Sequence, residues 1–245
     1  SQIVSYTNFE ARRLSGRPDA LYGRGPLTRI GNIAWEVMEL KQWGTSQESN
    51  AVGLENHLNK HYADTKEKVR IQGKLTKQRI KEPSDWPVFK AKAAATRHCV
   101  PWAVKLATEF NSNSLHDRRR LAVIQCLNRI YDLIREAPQF PSHEQQAELR
   151  ELSLAMMRNY RHLTDESLGL NVKTWKMKPK CHMTQHILEE ESWINPRSVW
   201  LYGDEDLQRL IKLVAVQCHP RTVAYLCLYR WLLKIYGEPA DEEAV

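Results

Sequence analysis

The sequence predicts an all-α protein, an irregular multi-helix domain preceded by an irregular N-terminal segment. Three observations carry that prediction. Apolar residues recur at i, i+3, i+4 and i+7 in segment after segment. No stretch of six residues alternates apolar with polar, as a half-buried strand would. Several boundaries between the periodic segments carry start and stop residues, among them Gly44, Pro138 and Ser142.

Each element follows in order. Gly16, Pro18, Gly23, Gly25 and Pro26 break any periodicity over residues 1–26. From Leu27 a helical stripe runs through Ile30, Ile33, Ala34, Val37 and Met38, and Gly44 is placed to end it. A polar helix is expected over residues 47–62. The basic stretch 66–81 is expected to be helical as well, with Gly73 in its middle. Pro83 and Pro87 mark a break. Residues 88–110 read as an Ala-rich helix with a kink or restart at Pro101. A polar hinge covers 111–114.

The clearest helix spans 117–137, where Leu121, Ile124, Leu127, Tyr131 and Ile134 form one stripe expected to face the core. Ser142 and Gln145 make a capping box that opens a helix to about residue 163. Met156 and Met157 within it read as core fillers. Residues 167–180 are a connector, 179–191 a short helix and 193–200 a loop. Leu207, Leu210, Ile211 and Val214 mark a helix over 204–217. The final helix, 222–236, is apolar on nearly every side. Such a helix is expected to be buried, in the core or against a partner. The helical domain thus covers 27–237, with candidate divisions near 111–114 or 167–178. Residues 238–245 form an acidic tail.

Composition excludes several classes. With 245 residues, 42% hydrophobic and 27% charged, the chain can bury a core and is not expected to be disordered. No apolar run approaches the roughly 20 residues that span a bilayer, so no membrane insertion is expected. Five Cys without a CxxC pair do not suggest a disulfide framework. The first residues lack the basic and apolar regions of a signal peptide.

The net charge of +7 is concentrated. Residues 61–120 hold 14 Lys and Arg against six Asp and Glu, a surplus larger than that of the whole chain. The densest part comprises Lys66, Lys68, Arg70, Lys74, Lys77, Arg79 and Lys81; Arg118, Arg119 and Arg120 form a second cluster. Lys and Arg at this density suit a phosphate backbone, whose condensed counterions they release. A solvated helix face has the same composition.

Three constellations could carry chemistry, one of them Lys92, Arg97 and His98 around the Ala run of residues 90–98, where Arg97 could hold a phosphate or a carboxylate. His182 and His186 lie four apart on an expected helix and project from one face, a spacing that suits two ligands of one Zn²⁺. Cys181, Cys218 and His219 lie nearby in sequence or shortly beyond. Their other reading is local packing. Asp204, Glu205 and Asp206 follow Gly203, where acids complement a helix dipole. Mg²⁺ coordination there needs a further carboxylate from elsewhere. No Walker loop, no GxSxG and no other complete catalytic signature is present, so the chain is expected to need no cofactor and reads more as a binding protein than an enzyme.

The segment "KPKCHMTQHILEE" followed by "NPRSVWLYGDEDLQRLIKLV" resembles the C-terminal part of CACTA-like and related RNase H-like transposases. There a Pro-x-x-His-x-x-x-His helix precedes an aromatic-rich turn and a helix opening on Glu. Residues 89–98, "FKAKAAATRH", are similar to a stretch in transposon-derived reading frames of dinoflagellates. The resemblance covers about a third of the chain. It implies that Glu205 is the last carboxylate of an acidic triad and that the protein is nuclear. The two earlier Asp residues of such families have no counterpart here, and one carboxylate cannot run a two-metal mechanism. The expectation is a transposase-derived, catalytically incomplete helical domain that binds nucleic acid through its basic helices. The alternative is a helical structural subunit that docks onto a larger protein or ribonucleoprotein through its apolar C-terminal helix.

Overall fold

The computed structural model describes residues 24–81, 85–91, 93–177, 179–190, 192–199, 211–212, 215–216, 218–219 and 221–236. They are helical, with no strand among them. The chain forms two compact units, residues 1–199 and 200–245.

In the first unit the helices are α1 (Arg24–Glu39), α2 (Gln47–Thr65), α3 (Lys77–Ile80), α4 (Ala93–His98), α5 (Val100–Glu109), α6 (Leu115–Glu136), α7 (His143–Gly169) and α8 (Pro179–Glu189), then a 3₁₀ turn (Pro196–Val199). The α6–α7 pair makes the most extensive contact; α5 packs on α6, α8 on α7, and α1 on α5. The hinge at 111–114 and the connector at 167–178 therefore both lie within one packed body.

The core of α6 is a stripe of Val123, Ile124, Leu127, Ile130, Tyr131 and Ile134, all buried. Leu121, expected in the stripe, is only half-buried. The inward position one turn before Val123 and Ile124 belongs to Arg120 instead. Ser114 caps this helix by accepting from Asp117 N at 3.1 Å. Ala137 ends it in extended conformation, as a residue before proline must be. Asn195 completes the terminus, its amide donating to the carbonyls of Ile134, Ala137 and Pro138. The capping box at Ser142 and Gln145 forms as expected, and Met156 and Met157 are buried.

Three segments depart from the sequence expectation. Helix α1 stops at Glu39, before Gly44, because Lys41 turns left-handed. The buried Asn50 then pins the loop, accepting from Trp43 N and donating to Gly44 O. Residues 66–76 are not helical. Lys66 ends α2 in the left-handed region and Gly73 takes a φ of +75°, so neither extends a helix. Residues 88–91 are irregular where a helix was expected, and the segment 85–91 is tied to α3 by Val88 N to Ile80 O and Lys90 N to Arg79 O. Gly31 lets α1 cross this segment closely: a Cβ there would lie 2.7 Å from the Phe89 nitrogen.

In the second unit the described helix is α9 (Val223–Tyr236). Tyr225, Leu228, Tyr229 and Leu232, at i, i+3, i+4 and i+7, are exposed, with the two tyrosine rings stacked 6.1 Å apart. No described helix is long and apolar enough to cross a membrane.

Candidate functional site

The basic segment after α2 is an ordered loop held by one arginine. Arg79 Nε donates to Lys90 O at 2.8 Å, and Nη1 donates to Gly73 O and Lys74 O, both at 3.1 Å. These acceptors are neutral, so the guanidinium keeps its full charge while its rotamer freedom is already spent. The Arg70 guanidinium lies over the Tyr62 ring at 5.6 Å and its Nε donates to Glu67 O. Between them opens a groove of about 450 Å³, lined by Arg70, Ile71, Gln72, Arg79, Lys90, Ala91 and Ala95. Among the described lining residues three are cationic and none is acidic. The one acid of this loop, Glu67, is turned to His98 and to Val69 N.

The sequence-predicted cations divide by burial. Lys66, Lys68, Arg70 and Lys74 are exposed, and Lys77 and Arg79 are half-buried. Lys81 is committed to the fold: its ammonium stands 4.5 Å from the Trp35 ring centre and donates to Lys173 O. Burial holds its pKa below the ordinary lysine value. Arg118 is exposed and Arg119 half-buried, but Arg120 is buried and cannot belong to a surface cluster. It bonds Asp117 at 2.8 Å, Phe110 O at 2.6 Å and Glu36 at 3.4 Å. An inward-facing arginine needs such partners, and the acid one turn before it provides the nearest.

His186 Nδ1 lies 2.6 Å from the Glu190 carboxylate, one helical turn away. The side chain of His182, its expected co-ligand, lies outside the described residues, as does Glu205 with its neighbours. Among the described residues no three His, Cys, Asp or Glu side chains converge on a point that would suit Zn²⁺ or Mg²⁺.

A second polar feature escaped the sequence reading. Arg29, Asn32 and Glu36 occupy one face of α1, at i, i+3 and i+7, among apolar neighbours. At one end Glu36 is fully engaged. It accepts from His116 Nε2 at 3.2 Å, from Arg120 at 3.4 Å and from the indole nitrogen of Trp175. His116 Nδ1 meets Glu166 at 3.1 Å. The Glu36 hydrogen bond pushes the His116 pKa up to about 9 against the opposing effect of burial, with Glu166 adding to the rise. The imidazolium so held joins α1, α6 and α7. A cleft of about 500 Å³ opens above it.

The other end of the face is unbalanced. Arg29 is 1% exposed, and its three guanidinium nitrogens have no hydrogen-bond partner among the described residues. The Asn32 amide, wholly buried one turn on, interacts with the Tyr160 hydroxyl alone among the described residues and without close hydrogen-bond geometry. The Tyr160 ring lies 5.7 Å from the guanidinium carbon. A cation–π contact is worth about 0.5–2 kcal/mol, whereas burying an isolated charge costs several kcal/mol. The ring does not offset the burial. The signal that could have found this face is the 3–4–7 spacing of polar residues inside an otherwise apolar stripe.

With this geometry in hand, comparison with protein-family models, curated proteins and solved structures finds no match to the chain.

Proposed function

We propose that the chain binds the phosphate backbone of nucleic acid through the loop of residues 66–79. One observation carries the reading: among the described residues the groove beside Arg79 is lined by the Arg70 and Arg79 guanidinium groups and no carboxylate, and Arg79 is held in place by neutral carbonyls before any ligand arrives. A pre-ordered cation loses little side-chain entropy on binding. Lys66, Lys68 and Lys74 extend the positive surface along the same loop. Among its described lining residues the groove has no aromatic platform, so the reading favours backbone contact over base stacking. Descent from a transposase, with Glu205 as a remaining carboxylate, is the finer form of this proposal and rests on the sequence resemblance alone.

The test is fluorescence anisotropy with labelled duplex and single-stranded oligonucleotides at low salt. The variant carries Lys66→Glu, Lys68→Glu and Lys74→Glu, three exposed positions whose change leaves the Arg79 scaffold intact. Binding by the wild type that the variant loses supports the proposal. No binding by the wild type at low salt overturns it.

A second reading is favoured by a different observation. The exposed stripe Tyr225, Leu228, Tyr229 and Leu232 on α9 suits docking onto a protein partner. An apolar contact of that kind is insensitive to moderate salt, so salt dependence separates the two readings.

A further inference from the structure

We propose that Arg29 and Asn32 form a buried carboxylate-binding site, independent of the basic loop. Arg29 presents a full positive charge at 1% exposure with no hydrogen-bond partner among the described residues, and Asn32 presents a buried amide one turn along the same face, directed at the Tyr160 hydroxyl. A guanidinium stays protonated whatever its surroundings, so this charge cannot be relieved by losing a proton. An anion must balance it.

The other end of the face shows what balance looks like in this fold: there Glu36 sets one carboxylate against the His116 and Arg120 cations. Glu36 is thereby committed and does not serve Arg29. The Tyr160 hydroxyl is committed too, donating to Lys176 O at 2.9 Å. What remains is a forked donor, an amide N–H₂ beside it and an aromatic face. That set fits the planar two-oxygen head of a carboxylate, which a guanidinium binds bidentately. Charge selects carboxylate over phosphate. A single carboxylate leaves the pocket neutral, whereas a phosphate dianion would bury an excess negative charge. The carboxylate is that of a small ligand.

The experiment is thermal unfolding of the full chain, refolded in sodium acetate or in sodium chloride at equal ionic strength, because so closed a site exchanges slowly. Acetate is expected to raise the wild-type Tm by about 2–4 °C at concentrations well above its Kd. Arg29→Leu, which replaces the charge by an apolar side chain, is expected to fold and to lose the acetate response. Arg79→Gln, in the basic loop, is expected to keep it. If Arg29→Leu fails to fold, Arg29→Lys takes its place, with a weakened response expected from the loss of the fork. The proposal is overturned if acetate and chloride give the same Tm in all of these proteins, or if Arg29→Leu responds as the wild type does. It is also overturned if phosphate stabilises Arg79→Gln more than acetate does.

Discussion

The His116 bridge makes stability depend on pH in a defined direction. In the unfolded chain the imidazole titrates near 6.5, and in the fold near 9. Below 6.5 it is charged in both states, and the interaction with Glu36 and Glu166 is fully present. As pH rises through 9 the folded imidazole loses its proton and that contribution disappears. The displacement of the pKa corresponds to about 3 kcal/mol, each tenfold being worth 1.36 kcal/mol. Of this, about 2 kcal/mol is lost between pH 6.5 and about 8.5. Two other shifted groups act outside the window. Burial and Lys105 hold His61 below its ordinary value, so its effect falls below pH 6.5. Burial pushes the Cys99 thiol up to about 11, so its effect begins near the ordinary thiol value of 9.0. The assay is urea unfolding followed by tryptophan fluorescence at a series of pH values. The wild type is expected to lose stability steadily across the window, and His116→Gln to show a flat profile. A wild-type profile that is flat or rises, or an equal fall in His116→Gln, would refute the reasoning.

Three further perturbations test the packing. Ile124→Ala, at a fully buried position of α6, is expected to cost about 2–5 kcal/mol by urea unfolding. Gly31→Ala is expected to lower the Tm although alanine favours a helix by about 1 kcal/mol, because its Cβ would press on the backbone nitrogens of Phe89 and Val88; a higher Tm would mean the two segments do not cross so closely. Asn195→Ala removes one side chain that satisfies three carbonyls at the end of α6 and is expected to cost about 1–3 kcal/mol, with faster amide exchange of the last turn as the local readout.

Helices α6 and α7 were legible because their signals are local. A 3.6-residue stripe and a following proline mark α6, and a Ser capping box opens α7, although α7 runs to Gly169, past the expected end near residue 163. The loop 66–76 was not, because its conformation is set from outside: Arg79 gathers the carbonyls of Gly73, Lys74 and Lys90, and only the last of these reveals that residues 85–91 run alongside. Charge density named the basic residues but could not sort them. Arg118 and Arg120 look alike in sequence, yet one is exposed and the other buried, a difference of two residues on a helix whose stripe was read correctly except at Leu121, where Arg120 takes the inward position. Glu36 and His116, 80 residues apart, meet only in the fold. Composition carries no trace of such a pair.

The central proposal, phosphate-backbone binding by the basic loop, is tested most directly by the slope of log K against log salt for duplex binding. Four exposed cations, Lys66, Lys68, Arg70 and Lys74, each neutralising one phosphate, give a slope of roughly −3.6, or about a hundredfold loss of affinity between 50 and 200 mM salt. Changing Lys66, Lys68 or Lys74 singly to Ala is expected to reduce the slope by about 0.9 each. A slope near zero, or single variants that bind and respond to salt as the wild type does, would contradict it.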